Sequence, residues 1–138
     1  MMRAIILTGC CLLFASCYKD DVVIDRMTTN VLDPDYDGAP LFTVLANTTN
    51  QTAVDTGEQY LRIQVDSTRL PYGFSYQLRV EDLGDGVVTY LPQTAPGADI
   101  FNYFNWPVLL GDTYCYDISI WVQFSSSRKE QYCGIAQL

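Results

Sequence analysis

Three aspartates followed by a glycine form the clearest metal-binding pattern in the chain. Asp33, Asp35 and Asp37 alternate and Gly38 comes next, as at the start of a calcium loop whose carboxylates converge on the ion. The twelfth position of such a loop carries a glutamate, but here it is Val44. We therefore expect a turn rich in Asp, Pro and Gly, with a calcium site as the alternative.

Carboxylates are also the only residues that suggest catalysis. Glu81, Asp82 and Asp85 crowd one short segment, and a pair of acids is what a glycosidase uses. The chain has no histidine, so it lacks an imidazole for a catalytic triad or for proton transfer near neutral pH. Because no nucleophile can be paired with a base, we expect a protein that is not an enzyme and needs no cofactor.

Aromatic residues, which make up 13% of the chain, are better suited to binding than to catalysis. Residues 100–106 read Ile-Phe-Asn-Tyr-Phe-Asn-Trp, and side chains alternate between the two faces of a strand. We predict that Ile100, Phe104 and Trp106 point inward. Phe101 and Tyr103 are then exposed, and Trp121 shares an outer face with Cys115, so these three rings are the candidate ligand-binding residues.

Cys115 and Cys133 form an even pair in the C-terminal part of the chain. If the chain is exported, such a pair favours a disulfide over two free thiols. A hairpin that turns near residues 123–127 sets the two cysteines opposite each other on adjacent strands. A zinc site needs more ligands than two cysteines supply.

The rest of the chain after Pro40 is a succession of short apolar or alternating runs separated by turn residues. This spacing predicts an all-β domain, a single antiparallel β-sandwich of about seven strands. Residues 83–86, Leu-Gly-Asp-Gly, predict a hairpin. The predicted strands are 41–46, 60–65, 74–82, 87–91, 100–106, 114–124 and 131–135.

The N-terminus has the three regions of an export signal. A positive start is followed by an apolar stretch at residues 4–15, and the small residues Ala15 and Ser16 precede Cys17. The apolar stretch is well short of the ~20 residues that a membrane-spanning helix requires. One interpretation is an ordinary signal peptide in which the cysteine is incidental.

The other interpretation is a lipoprotein signal, because the junction at Cys17 resembles the lipobox of bacterial lipoproteins, whose cysteine becomes acylated, commonly with palmitate, after cleavage. A rival site at Cys10 would leave too short an apolar region. Three acyl chains hold such a protein in the outer membrane. Lys19, Asp20 and Asp21 are similar to the signal that sends some outer-membrane lipoproteins to the cell exterior, and retention on the periplasmic face is the alternative.

Between the signal and the strands the chain is polar and holds six aspartates, which indicates a self-repelling tether. We therefore predict three parts: signal peptide 1–16, acidic tether 17–40 and β-sandwich 41–138.

Residues 108–114, Val-Leu-Leu-Gly-Asp-Thr-Tyr, resemble the corner that leads into strand F of fibronectin type III and related immunoglobulin-like domains. In those domains a tyrosine hydroxyl bonds back to the corner backbone, and Tyr114 takes that place. The resemblance implies an immunoglobulin-like sandwich over about residues 41–138. The tryptophan that usually packs in strand B has no equivalent near Val65.

A formal charge of −8 without a basic cluster disfavours nucleic acid as a partner. Two functions remain. The first is a non-catalytic, lipid-anchored cell-surface binding or adhesion module for a glycan or a protein. The second is a structural accessory lipoprotein of an envelope assembly, such as a secretion, conjugation or polysaccharide-uptake complex.

Overall fold

A computed structural model of the protein describes residues 30–70, 75–93, 99–122 and 125–138. These residues form eight β-strands and one three-residue 3₁₀ turn at Ser67–Arg69. No helix within these ranges is long and apolar enough to cross a membrane. The strands are β1 Phe42–Gln51, β2 Thr56–Val65, β3 Gln77–Asp82, β4 Val88–Pro92, β5 Ile100–Leu109, β6 Thr113–Val122, β7 Ser125–Ser126 and β8 Glu130–Ile135.

The strands form two antiparallel sheets. The first has the order β1-β2-β5, and in the second β4, β3 and β6 are consecutive neighbours while β7 and β8 both pair with β6. The predicted all-β class is therefore confirmed. Each predicted strand region overlaps an observed strand, and the two-residue β7 is additional. The predicted hairpin is also present, because β3 and β4 pair across residues 83–87 and Gly86 takes a φ of 74° that favours glycine.

The hydrophobic core lies between the inner faces of the two sheets. Leu61, Ile63 and Val65 alternate along β2, while Ile118 and Ile120 supply it from β6, and all five are almost inaccessible to solvent. This is the period-2 burial expected of strands with one face on the core.

A chain of polar side chains runs through one part of this core. The Tyr116 hydroxyl donates to Gln59 Oε1 at 2.5 Å and accepts from Asn105 Nδ2 at 2.9 Å. The same Asn105 amide donates to Asp82 Oδ2 at 2.7 Å, which links β2, β3, β5 and β6. Because buried polar groups must be hydrogen-bonded, this network fixes the register of the four strands around it.

Residues 30–40, which we call the strap, pack on the sandwich although the sequence assigned them to the tether. Val31 and Leu32 belong to the hydrophobic core. The guanidinium groups of Arg69 and Arg128 lie 5.7 and 5.8 Å from the centre of the Tyr36 ring, within cation–π range. The packed domain thus begins before the predicted boundary at Pro40, because two apolar side chains and one ring gain burial there.

The predicted disulfide between Cys115 and Cys133 is confirmed. The two residues are directly opposite each other on β6 and β8, and their Cα atoms are 4.1 Å apart. Nearby, the hydroxyl of Tyr114 accepts a hydrogen bond of 2.7 Å from the backbone N–H of Leu109. That bond ties the start of β6 to the end of β5 across the corner.

Candidate functional site

The sequence-predicted anchor lies outside the described residues, since Cys17, Lys19, Asp20 and Asp21 all precede residue 30. The candidate calcium residues are inside the described part. There Asp33 Oδ1 accepts a hydrogen bond of 2.9 Å from the backbone N–H of Asp35, an aspartate turn. Asp33, Asp35 and Asp37 are not gathered into a group that could hold a metal ion, and no group of three or more such side chains occurs in the described ranges.

The acidic residues around the β3–β4 hairpin are engaged in the fold. Lys129 and Arg79 each lie 2.8 Å from Glu81 Oε2, and their hydrogen bonds lower the pKa of that carboxyl. Asp82 is buried and accepts from Asn105 and from the backbone N–H of Gly84. Asp85 accepts from the N–H of Val87. Because of these contacts we interpret Glu81, Asp82 and Asp85 as structural groups that stabilise the hairpin.

The predicted orientation of the aromatic residues on β5 is wrong. Phe101 and Tyr103 are each 4% exposed and belong to the core, so they do not form the exposed aromatic surface that was predicted. They pair directly with Ile63 and Leu61, whose side chains point inward, and residues directly opposite each other share a face. Burial also raises the pKa of Tyr103 to about 12. The residues predicted to point inward are instead exposed: Ile100, Phe104 and Trp106.

Trp121 does lie on an exposed outer face, as predicted, but on the second sheet. Its nearest aromatic neighbour is Tyr90, edge-on with ring centres 6.0 Å apart. Arg79, which is opposite Tyr90 in the register, fills the space beside it and pairs with Glu81. The exposed apolar side chains of this surface include Val88 as well as the two half-exposed rings, next to a compensated ion pair.

The larger exposed apolar surface is the outer side of β5. Phe104, Trp106 and Leu109 are 55%, 67% and 52% exposed along this strand. Tyr60, on neighbouring β2, lies opposite Phe104 with ring centres 5.1 Å apart and planes tilted by 50°. The Tyr60 hydroxyl donates to Asn102 Oδ1, which holds the tyrosine ring along the sheet. We call Tyr60, Asn102, Phe104, Trp106 and Leu109 the β5 face.

A β-bulge explains why so much apolar surface collects at one end of β5. Gln59 pairs with Asn105 and Gly57 pairs with Val108, so one residue of β2 faces two residues of β5, Trp106 and Pro107. A bulge bends its strand and redirects side chains, and both residues of the bulge are exposed. Their position leaves the Trp106 ring on the surface while Val108 returns to the core.

Two shallow cavities lie at opposite ends of the sandwich. The first, of about 340 Å³, is lined by residues that include Leu41, Asp66, Ser67 and Asp99. The carboxylate of Asp99 accepts hydrogen bonds from the hydroxyls of Ser67 and Tyr76, at 2.7 and 3.0 Å. The other, of about 360 Å³, is lined by residues 82–84 and 112–115. Neither of these two cavities pairs a nucleophile with a histidine or lysine base. Within the described ranges we take the β5 face as the candidate functional site because of its exposed rings.

No protein-family model, curated protein sequence or solved structure matches this chain. Its function must therefore be inferred from the chemistry of the surface.

Proposed function

We propose that this protein is a non-catalytic binding module that attaches to its ligand through the β5 face. The observation that carries the proposal is the exposure of Phe104 and Trp106, two residues apart on the same face of one strand. Rings and aliphatic groups of this size are normally withdrawn from water, and a contiguous exposed group of them marks an interaction surface. Trp and Tyr are also the residues most enriched at the centres of interfaces.

The fold of this module is proposed to be immunoglobulin-like, of the fibronectin type III kind. In the seven-strand immunoglobulin sandwich, strands A, B and E share one sheet and strands C, F and G the other. β1, β2 and β5 match the first set by order, and β3, β6 and β8 match the second. The hydroxyl bond of Tyr114 to the corner backbone supports the same assignment.

The module is proposed to be displayed from the outer membrane by a lipid on Cys17, facing the cell exterior through Lys19, Asp20 and Asp21. Mass spectrometry of the purified protein tests the anchor, and we expect an N-terminus at Cys17 carrying acyl chains. Protease added to intact cells tests the display, and we expect degradation. An unlipidated chain refutes the anchor, and resistance to protease places the module on the periplasmic face.

A photo-reactive amino acid in place of Phe104 tests the binding surface in living cells. Because position 104 is exposed on the β5 face, we expect illumination to yield a discrete adduct of higher mass. Position 121 on the opposite sheet is the matched control, since Trp121 is also an exposed aromatic residue. Adducts from position 121 alone would move the binding surface to the second sheet and refute this proposal.

The alternative function, a structural accessory subunit of an envelope assembly, is favoured by the edge of β5. Among the described strands, β5 pairs only with β2, so its other side is open to strand addition. Pro107 and the bulge interrupt that edge, as in strands protected from edge pairing. Copurification of a membrane assembly in place of a single partner would support the accessory role.

A further inference from the structure

Arg62 is the positively charged residue next to the β5 face, and Glu58, opposite the bulge on the same side of β2, is the negatively charged one. Arg62 lies on the outer face of β2, between Ala46 on β1 and Asn102 on β5. Tyr60 is two residues from Arg62 on β2 and pairs with Phe104 on β5. Phe104 is therefore a diagonal neighbour of Arg62, at about 7–8 Å. Arg62 therefore lies one diagonal step from Phe104 on the outer face of this sheet.

Arg62 is also the one lysine or arginine of the described ranges that has neither an ion pair nor a hydrogen bond. Arg79, Arg128 and Lys129 pair with carboxylates, and Arg69 binds carbonyl oxygens and the Tyr36 hydroxyl. In a chain with a formal charge of −8, an arginine left without a counter-charge beside exposed rings is complementary to an acid on the ligand.

The surface favours a protein over a glycan as the source of that acid. The rings of Tyr60 and Phe104 are tilted by 50°, so they do not form one flat shelf on which sugars stack. Leu109 extends the apolar row with an aliphatic side chain, which has no π-face for a sugar. The Asn102 oxygen is already used by Tyr60. A polyanion is disfavoured by the net charge of the chain.

We infer that the β5 face and Arg62 together dock a protein partner that sets a carboxylate on Arg62 and an apolar side chain against Phe104 and Trp106. This inference rests on the proposed binding function and adds the chemical class of the ligand. Arginine, tryptophan and tyrosine are also the residues most enriched among the energetic hot spots of protein interfaces.

Selection from a phage library of random twelve-residue peptides on the full-length protein, purified in mild detergent, tests the inference. We expect enriched peptides to place Asp or Glu next to a large apolar residue. Their affinity should fall at least tenfold for Trp106→Ala and for Arg62→Glu, as for hot-spot truncations and charge reversals. Trp121→Ala is the matched control and should change the affinity less than twofold. A second selection on Arg62→Glu should enrich Lys or Arg instead.

The possible failures are distinguishable. Peptide binding that needs Trp106 but is insensitive to Arg62→Glu overturns the inference about the acid and leaves the proposed binding function intact. If the library yields no peptide whose binding depends on Trp106, the inference is overturned. If, in addition, position 104 gives no adduct in the photo-crosslinking experiment, the proposed binding function is overturned as well. A third outcome is that no peptide binds, whereas the protein binds an array of neutral and acidic oligosaccharides and Trp106→Ala abolishes that binding. This outcome overturns the choice of a protein ligand.

Discussion

Replacing Cys115 and Cys133 together by alanine is expected to lower the free energy of unfolding by about 3 kcal/mol. The disulfide joins residues 18 positions apart and closes the β6–β8 hairpin at a directly opposed pair. In the chain-entropy view the bond restricts the unfolded chain, and a loop of this size is worth about that much. Urea unfolding followed by tryptophan fluorescence measures the difference.

The wild-type protein unfolded in the presence of a reductant is the control for this measurement. It keeps both sulfur atoms but loses the bond, so it should match the double alanine variant to within about 1 kcal/mol. A double variant as stable as the oxidised protein would show that strand pairing alone holds β8 in place. If the double alanine variant is far less stable than the reduced wild-type protein, the extra loss of stability comes from the missing packing of the two sulfur atoms.

The features predicted correctly from sequence depend on local chemistry or on pairs of residues. The hairpin at residues 83–87 is encoded by glycines flanking Asp85, because Gly86 accepts a positive φ. The disulfide follows from two cysteines placed on strands that a short turn must bring together. The all-β class follows from many short apolar runs, each too short for a helix.

The orientation of β5 was not predictable from alternation alone. Both faces of residues 100–106 carry aromatic side chains, so a period of two fits either choice. Asn105 shares the inner face with Phe101 and Tyr103, and an asparagine on an inward face is unexpected unless its partners are known. Those partners, Asp82 and Tyr116, lie on other strands and are brought to it only by the fold.

The strap was missed for a similar reason. Val31 and Leu32 are a short apolar pair in an acidic segment, with no period to mark them as structured. The strap is held by partners distant in sequence, such as Arg69 and Arg128, which donate to the hydroxyl and to the backbone oxygen of Tyr36. Because the exposed face of β5 was predicted wrongly, the candidate site on that face was not predicted either. Pro107 was a sequence signal for part of it, since a proline within a strand is typical of an edge strand.

Alkaline pH is expected to destabilise this protein steeply. Tyr76, Tyr103 and Tyr116 are buried, and burial is the main cause that raises the pKa of each, to about 12 for Tyr103. In the unfolded chain a tyrosine ionises near pH 10. Their stabilising effect is therefore complete below pH 10 and is lost as the pH rises, because only the unfolded state then gives up its protons.

Because a tyrosine of the unfolded chain is half ionised at pH 10, the expected loss between pH 10 and 11 is about 1 kcal/mol for each tyrosine, or roughly 3 kcal/mol for the three together. Urea unfolding at a series of pH values from 8 to 11 measures it. Tyr103→Phe is the informative variant, because no hydrogen bond of the Tyr103 hydroxyl is lost within the described ranges. This variant should keep nearly the wild-type stability at pH 8 and lose about a third less between pH 10 and 11. An equal loss in both proteins would mean that Tyr103 ionises within the folded domain, and hence that water reaches this part of the core.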